Sequence, residues 1–456
     1  MHRYRKQGPM PRYHPPLDIA VIGTGIAGMS AAWLLSGRHH VTVYEQADRL
    51  GGHSNTVDVA GPTGPVAVDT GFIVYNEQTY PNLTALFRHL GVTTQASEMS
   101  FAVSLRNGAL EYAGTDLRGL FAQRRNLLRP RFWRMLQDLL RFYREAPGDV
   151  AALDRAGVSL RAYLDARGYG SAFVEDHLLP MAAAIWSTPC AAVADQPAAT
   201  FIRFCENHGL LQVRNRPVWR TVAGGSRAYV EKLTAPYAQN VRLGCGVHDV
   251  RRLPDRVVVS DTCGGQAQYD HVVIATHPDQ AFSMLSDWSA AEAVLLGAFR
   301  YGDNTAVLHT DTSLMPRRRR VWSSWNYLGD APEGPSVTYW MNRLQGLQTA
   351  KPLFVSLNPP RPPDPTQVLR TETYAHPLMD STAADAQRRL WQLQGVRRTW
   401  FCGAWFGAGF HEDGLQSGLA VAEQLGGVRR PWVVPHESGR IHLRPAAPVL
   451  SIEHAA

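Results

Sequence analysis

A glycine-rich turn near the start of the chain has the residue types and spacing needed to bind the phosphates of a dinucleotide. The apolar run Asp18–Ile22 is followed by a GxGxxG pattern made of Gly23, Gly25 and Gly28. Gly23 allows a tight turn, Gly25 leaves room for a pyrophosphate, and Gly28 allows close packing of helix on strand. Glu45, at the end of the next apolar run, can accept hydrogen bonds from a ribose diol. The segment therefore predicts a βαβ unit with phosphates at the helix N-terminus.

A second glycine-rich segment lies near the other end of the chain. An apolar run leads into Gly403, and residues 409–418 carry further glycines before a predicted helix that extends through Gln424. The N-terminus of such a helix can stabilise negative charge on a bound group. His411 and Glu412 are candidate catalytic residues there, as acid/base or orienting groups, and the alternative is that they only cap the helix.

Both segments resemble the FAD-dependent amine oxidase and phytoene desaturase superfamily. In that superfamily the Glu that ends the second strand is followed by Arg-x-Gly-Gly, which matches Glu45, Arg49, Gly51 and Gly52, and a C-terminal motif matches residues 409–418. The resemblance implies FAD rather than NAD as cofactor. Besides Gly23, Gly25, Gly28 and Glu45, it implies cofactor contacts at Ile26, Ala27, Gln46, Arg49, Gly51, Gly52, His53, Ser54, Gly71, Phe72, Val247, Ala275, Thr276, Gly403, Ala404, Gly414, Leu415 and Ser417.

From Asp18 to about Gly427 the chain more closely resembles a bacterial subgroup of amine oxidase-like proteins with a predicted NAD/FAD-binding fold. The resemblance is carried by residues 51–54, 69–76, 357–359 and 409–414. It implies an oxidoreductase that transfers a hydride equivalent between a substrate carbon and flavin N5, with oxygen, a quinone or another electron acceptor. Members of the subgroup have been linked to membrane fatty acyl chains, so the expected reaction is desaturation or dehydrogenation of a lipid or fatty acyl chain.

Two other functions stay open. A flavin-containing amine oxidase that produces hydrogen peroxide would have a short cavity with two facing aromatic rings, and a non-catalytic flavin-binding module would have its ring walled off from any cavity. His411 stands where such amine oxidases usually have an aromatic residue, and Lys351 is the only late lysine and lacks the matching context. These departures argue against a standard amine oxidase.

The order of the predicted elements indicates an α/β fold with two domains. We expect a Rossmann-like FAD-binding domain with a parallel sheet from residues 17–79, 221–300 and 395–430, and a substrate domain from residues 80–220 and 301–394. The substrate domain would combine a helical insertion, from Tyr80 to about Arg220, with a largely antiparallel sheet of aromatic-rich strands. Residues 1–16 and 431–456 are predicted tails.

Composition limits the partners. The net charge of +7 comes almost wholly from arginine, and between Leu117 and Glu145 eight arginines alternate with apolar and aromatic residues. This pattern fits peripheral contact with an anionic membrane or an amphipathic core helix, and no nucleic-acid-binding motif accompanies it. The substrate is expected to be a small molecule or a lipid. The oligomeric state stays unknown.

The cysteines and the apolar runs suggest a compartment. The five cysteines are scattered and form no CxxC pair. We therefore expect no disulfide framework, no zinc site and no other metal site. No run reaches the roughly 18 apolar residues of a membrane span. We expect a cytoplasmic protein, associated with the inner leaflet if the basic stretch binds membrane.

Overall fold

The computed structural model describes residues 15–62, 64–186, 190–213, 216–329 and 336–443. Residues 1–14 of the predicted N-terminal tail and 444–456 of the predicted C-terminal tail lie outside the described residues. The strands are β1 (Asp18–Ile22), β2 (His40–Tyr44), β3 (Thr56–Gly61), β4 (Gly64–Asp69), β5 (Tyr75–Asn76), β6 (Thr94–Ser97), β7 (Phe101–Leu105), β8 (Leu110–Ala113), β9 (Trp219–Val222), β10 (Val241–Arg242), β11 (Val247–Arg252), β12 (Val257–Asp261), β13 (Gln266–Tyr269), β14 (His271–Ile274), β15 (Arg300–His309), β16 (Trp325–Leu328), β17 (Ser336–Trp340), β18 (Phe354–Leu357), β19 (Val368–Leu378) and β20 (Thr399–Phe401).

Helices cover both sheets. They are α1 (Ile26–Ser36), α2 (Pro81–His89), α3 (Leu117–Leu120), α4 (Pro130–Ala156), α5 (Leu160–Ala166), α6 (Ser171–Phe173), α7 (Leu179–Trp186), α8 (Cys190–Ala194), α9 (Ala198–Asn207), α10 (Arg227–Thr234), α11 (Pro278–Met284), α12 (Ala290–Leu296), α13 (Met341–Leu344), α14 (Ser381–Gln387) and α15 (His411–Leu425).

A parallel sheet carries the first glycine-rich turn, as predicted. Its order is β10-β2-β1-β14-β20, and all neighbouring strands run parallel. The central strands β1 and β14 consist mainly of buried Val, Ile and Ala, because helices cover both faces of a parallel sheet. Helix α1 is buried along most of its length, and α15, from the far end of the chain, packs against it. The domain with the parallel sheet is therefore built from discontinuous segments.

The predicted second sheet is also present. Its order is β19-β15-β18-β17-β16-β7-β8, and every neighbouring pair is antiparallel except β16 and β7. Buried side chains of this sheet pack in one core with those of α4, α7 and α9. The α/β fold with a mixed second sheet and a helical layer is confirmed.

The block from Tyr80 to Arg220 is not purely helical, which corrects the prediction. It contains β6 to β9, and β7 and β8 extend the second sheet by pairing with β16, more than 200 residues away in sequence. Such a long-range pairing leaves no local periodicity to read. Within the basic stretch that begins at Leu117, α3 ends at Leu120 and only a short 3-10 turn follows at Arg124–Leu128.

Residues 431–443, predicted to belong to a tail, pack against the domain with the parallel sheet. The ring of Trp432 stacks on Trp33 at 5.9 Å between centroids, and Arg440 forms a 3.3 Å ion pair with Asp413 in α15. Among the described residues no helix is long and apolar enough to cross a membrane.

One disulfide is present, between Cys245 and Cys263, so the expectation of a chain without disulfides is wrong at this pair. Cys245 precedes β11 and Cys263 follows β12, and the antiparallel pairing of these two strands brings the thiols together. Their spacing of 18 residues gives no signal until the hairpin is known.

Candidate flavin site and substrate cavity

The first glycine-rich turn has the geometry that its sequence implies. Gly23 has φ of +96°, a left-handed conformation that favours glycine, and a Cβ on Gly28 would lie 2.0 Å from the Gly23 carbonyl oxygen. A Cβ on Gly25 would meet no heavy atom of the described chain within 4 Å. Gly23 and Gly28 are thus required by the backbone geometry, whereas Gly25 keeps space open in front of the helix N-terminus, where a phosphate can bind.

Glu45 lies at the tip of β2, beside that turn. Its carboxylate accepts hydrogen bonds from the backbone N–H groups of Thr24 and Ala47, both at 2.9 Å. A Cβ on Gly246 would lie 3.3 Å from the Gln46 side chain, which places Val247, at the start of β11, next to Gln46. These residues form one neighbourhood away from the cavity described below, as expected for the adenosine end of a dinucleotide.

The two ends of the sequence meet at this turn. A Cβ on Gly414 would lie 2.9 Å from Cγ2 of Ile26, and one on Gly418 would lie 2.2 Å from the Ala27 carbonyl oxygen. Ser417 Oγ accepts from the Gly403 N–H at 3.0 Å and lies within hydrogen-bonding distance of the Gly403 and Gly414 carbonyl oxygens. The α15 N-terminus and the 403–404 turn are therefore fixed against α1, and Leu415 is fully buried behind them.

Residues 49–54 and 71–72 form the adjoining wall. Arg49 Nη1 donates to the Gly52 carbonyl oxygen at 2.8 Å, and a Cβ on Gly52 would lie 3.1 Å from the Gly25 Cα. The Phe72 N–H donates to the His53 carbonyl oxygen at 2.7 Å, and a Cβ on Gly71 would meet that oxygen at 2.2 Å. Glycine is thus required at residue 71, and the side chains of His53 and Phe72 are fixed beside the turn.

His411 begins α15 at the cavity wall. Its ring stacks on Phe72, with 3.8 Å between centroids, and its Nε2 lies 2.7 Å from the Tyr229 hydroxyl, which also bonds Ser54 Oγ. Burial lowers the pKa of His411 to about 3, so the ring is neutral near pH 7. His411 is thus placed to orient neighbouring groups as a neutral side chain.

Glu412 does not reach the cavity. Its Oε1 accepts from the Asn82 backbone N–H at 3.0 Å and from Asn82 Nδ2 at 2.8 Å, and its Oε2 accepts from the Leu83 N–H at 3.0 Å. It therefore caps the N-terminus of α2. Burial raises the pKa of the carboxyl, against these hydrogen bonds. The structure thus separates the two catalytic candidates, and Glu412 caps α2 rather than its own helix α15.

One continuous cavity of about 860 Å³ joins the glycine turns to the second domain. Among the residues predicted to bind cofactor or act in catalysis, those on its wall are Gly25, Ile26, Ala27, Gly51, His53, Gly71, Phe72, Ala275, Thr276, Gly403, Ala404 and His411. Behind the wall or along the dinucleotide groove lie Gly23, Gly28, Glu45, Gln46, Arg49, Gly52, Ser54, Val247, Gly414, Leu415, Ser417 and Glu412.

Of the six histidines on the described wall, His177, His208, His277 and His376 were not among the predicted site residues. His53 lies 5.0 Å from the Tyr374 ring and 5.4 Å from the His376 ring, and His277 stacks on Tyr301 at 4.2 Å. Burial first, and the neighbouring histidines next, hold the pKa of His53 well below its usual value, and that of His376 falls to about 4. Tyr374 and His376 share one face of β19, so period-two spacing in a predicted strand could have identified them.

Charge is scarce along this wall. Its described charged residues are Glu98, Arg216 and Arg343, and Glu98 forms an ion pair with Arg343. The remainder is mainly aromatic, aliphatic or backbone, for example Met181, Ile185 and Tyr339. Such a cavity favours an apolar ligand over a cation.

The donor set fits a flavin dinucleotide. Gly25 leaves open space before the α1 N-terminus, and the start of α15 meets the same wall. His53 Nε2 is buried without a hydrogen-bond partner among the described residues, although it lines the cavity. An orphaned polar atom of this kind indicates a ligand or water that satisfies it.

Comparisons with known proteins agree with this geometry. The sequence pattern described as "Flavin containing amine oxidoreductase" matches residues 26–426. "Putative flavin-containing monoamine oxidase AofH" of Mycobacterium tuberculosis is 30% identical over 277 residues, which span 58% of this chain and 58% of that protein. Among solved structures, putrescine oxidase bound to putrescine (TM-score 0.64, 14% identity, 90% of this chain and 99% of that one) and a CLA-producing fatty acid isomerase from P. acnes (0.62, 15%, 90% and 98%) share the fold. The chain belongs to the flavin-containing amine oxidoreductase family.

Proposed function

We propose that the protein is a desaturase or dehydrogenase of a lipid or fatty acyl chain. The observation that carries this proposal is the cavity, which runs from the glycine turns into an apolar interior between the second sheet and the helices. Desaturation removes one hydrogen from each of two adjacent carbons, and FAD when bound accepts both electrons and passes them to oxygen or a quinone.

The residues of this chain would bind the acyl chain, orient it and exclude water. Trp186, Phe204 and Phe410 form a continuous aromatic wall, with 4.4 Å and 4.8 Å between successive ring centroids. His53, His376 and His411 are held neutral by burial, so they offer hydrogen bonds without introducing charge. A long apolar chain gains about 0.8 kcal/mol for each methylene buried on such a wall.

An amine oxidase that releases hydrogen peroxide is the second candidate. The family and the curated relative favour it. A protonated amine, however, would need a carboxylate or an aromatic cage, and Glu98 is the one acidic side chain among the described cavity residues and is already paired with Arg343. The non-catalytic alternative fits less well, because the turns expected to hold the cofactor open directly into the cavity.

Membrane contact belongs to the same proposal. We define the basic apolar patch by its exposed apolar side chains and its arginines without an ion-pair partner among the described residues, namely Leu117, Leu127, Leu128, Trp133, Arg118, Arg124 and Arg134. Leu117 is 74% exposed and Leu128 is 87% exposed. Gly114 and Thr115, which directly precede this patch, are exposed and line the cavity. An anionic bilayer suits both the arginines and the leucines.

Two experiments test these points. Holoenzyme incubated with phosphatidylglycerol vesicles is expected to give acyl chains that have lost two hydrogen atoms, detected by mass spectrometry of the released fatty acids. Unchanged chains together with peroxide release from amines would reverse the ranking. In co-sedimentation, the double variant Leu127→Asp/Leu128→Asp should lose binding to anionic vesicles, whereas Val294→Asp, an exposed residue in α12, should retain it.

A further inference from the structure

We propose that Arg216 and His177 form a subsite for the anionic head group, a carboxylate or a phosphate, of the acyl-chain ligand. The inference rests on the proposed function in taking an acyl chain as the ligand. It adds where the polar end of that ligand binds and which side chains select it.

Among the charged residues described on the cavity wall, Arg216 is the one without an oppositely charged partner. It is exposed and lines the cavity, and its Nε donates to the Gln212 carbonyl oxygen at 2.7 Å. Within the described ranges it has no ion-pair partner, whereas Arg343 is paired with Glu98. A guanidinium on the rim of an apolar cavity, with its terminal nitrogens available, suits bidentate binding of a carboxylate or phosphate.

His177 supplies an independent observation. It is 8% exposed and lines the same cavity, and its Nδ1 lies 2.9 Å from the Tyr112 hydroxyl. That hydroxyl donates its hydrogen to the Asp176 carbonyl oxygen at 2.8 Å, so Nδ1 must carry the proton shared with Tyr112. Nε2 is then left as a buried acceptor without a partner among the described residues. Such an atom costs about 1–3 kcal/mol unless a ligand or water satisfies it.

The two side chains are electrostatically coupled. Burial first, and the positive charge of Arg216 next, lower the pKa of His177 to about 4. An anion at Arg216 offsets that charge, so Nε2 can take up a proton and donate to the second oxygen of the head group. The other groups around His177 are the Tyr112 hydroxyl, which stays neutral because burial raises its pKa, and Asp176, whose carboxylate is bonded to Arg106 and Arg131.

Apolar residues next to the subsite can take the start of the chain. Met181, Ile185 and Leu210 line the cavity, and Val218, on its rim, is 67% exposed. An amphiphile can therefore place its charged end at Arg216 while its hydrocarbon enters the cavity. A neutral or cationic head group gains nothing from the guanidinium.

The test is isothermal calorimetry of the oxidised holoenzyme with oleate, methyl oleate and an oleoyl lysophosphatidylglycerol. The variants are Arg216→Gln, His177→Gln and, as a matched control on the same wall, Arg343→Gln. We expect Arg216→Gln to weaken oleate or lysophospholipid binding about tenfold or more and methyl oleate binding less than about twofold. The stronger of the two anions identifies carboxylate or phosphate as the native head group.

Proton uptake is a second readout. The apparent enthalpy in buffers of different ionisation enthalpy should report proton uptake on anion binding in the wild type and none in His177→Gln, because an amide donates without titrating. Equal weakening of the ester and the anions in Arg216→Gln, or an equal effect of Arg343→Gln, would overturn the subsite. Flavin bleaching in the same samples separates the two proposals: binding selectivity without bleaching contradicts only the proposed function, and bleaching without selectivity contradicts only the subsite.

Discussion

The imidazole of His411 lies flat against the ring of Phe72, with 3.8 Å between the centroids and 10° between the planes. Phe72 follows the hairpin of β3 and β4 near the start of the chain, and His411 is the first residue of α15 near its end. The stack therefore joins two distant parts of the chain at the cavity wall. It forms without charge, since burial keeps His411 neutral.

Because His411 is neutral, its ionisation should not appear in the pH dependence of the reaction rate. With the folded pKa lowered to about 3, the side chain stays deprotonated through the physiological range, about pH 5 to 8. The pH profile of anaerobic flavin reduction should therefore keep the same shape in His411→Gln, while the rate falls because the stack and the Tyr229 contact are lost. Disappearance of a limb near pH 6.5 in the variant would contradict this assignment.

Gly25 and Gly28 should respond differently to the same substitution. Gly25 has φ of −62° and open space around its Cβ, so Gly25→Val should fold normally but retain at least about tenfold less FAD, because the valine fills phosphate space. Gly28→Val should fail to fold, since its Cβ overlaps the Gly23 carbonyl. The measurements are the ratio of flavin to protein absorbance and the melting curve. A yellow Gly25→Val protein would argue against dinucleotide binding at this turn.

Glu412 should matter for stability and not for chemistry. In Glu412→Gln one carboxylate oxygen becomes an NH2 group, so one of the two backbone donors, at Asn82 and Leu83, loses its acceptor and faces another donor. We expect the free energy of unfolding to fall by about 1–3 kcal/mol. Denaturant titration measures this loss, and the rate constant of flavin reduction should change less than about twofold. A large loss of rate in a stably folded variant would return Glu412 to the catalytic candidates.

Acid should destabilise the protein below about pH 6.5. Burial lowers the pKa values of His177, His309 and His376 to about 4 and those of His208 and His411 to about 3. The unfolded chain therefore binds more protons below pH 6.5 than the folded protein. For each of these histidines, the free energy of unfolding falls by about 1.4 kcal/mol per pH unit until the pH reaches the folded pKa. Asp69, with its pKa raised to about 6 by burial, opposes this trend, as do Glu412 and Asp413, whose pKa values are also raised by burial.

The midpoint of thermal unfolding across this pH range tests the prediction. His309 lies off the cavity and bonds Ser356 Oγ at 2.8 Å, so His309→Gln offers a variant with an intact flavin site. Its midpoint should fall less steeply with acid than that of the wild type. Parallel curves for the two proteins would show that buried neutral histidine is not the cause.

The disulfide should stabilise the adenosine end of the groove. It closes a loop of 18 residues, which corresponds to about 3 kcal/mol in the chain-entropy treatment. The Cys245 N–H also donates to the Glu45 carbonyl oxygen at 2.9 Å, so loosening this loop should weaken FAD retention as well. Dithiothreitol should lower the melting midpoint of the wild type and leave Cys263→Ser unchanged. Equal effects on both proteins would contradict this role.

Local chemistry made the glycine-rich turn predictable. Gly23, Gly25 and Gly28 have roles set by backbone geometry, and the GxGxxG spacing predicts that geometry. Gly414 could be assigned to the same site only through the resemblance to a family, because no local signal shows that it packs on Ile26.

Long-range contacts account for what was missed. Three features depend on which strands become neighbours. They are the pairing of β7 with β16, the disulfide, and the positions on the cavity wall of His277, which follows β14, and His376, which lies in β19. The contact of Glu412 with the N-terminus of α2 could not be predicted for the same reason, since the acidic residue type was visible in the sequence but its partner was not.

Anaerobic mixing of the oxidised holoenzyme with acyl lipid or with an amine panel tests the central claim most directly. Absorbance of the flavin near its visible maximum reports reduction within one turnover and does not depend on the final acceptor. The account predicts bleaching by the acyl lipid and none by primary or secondary amines. Bleaching by amines alone would contradict it.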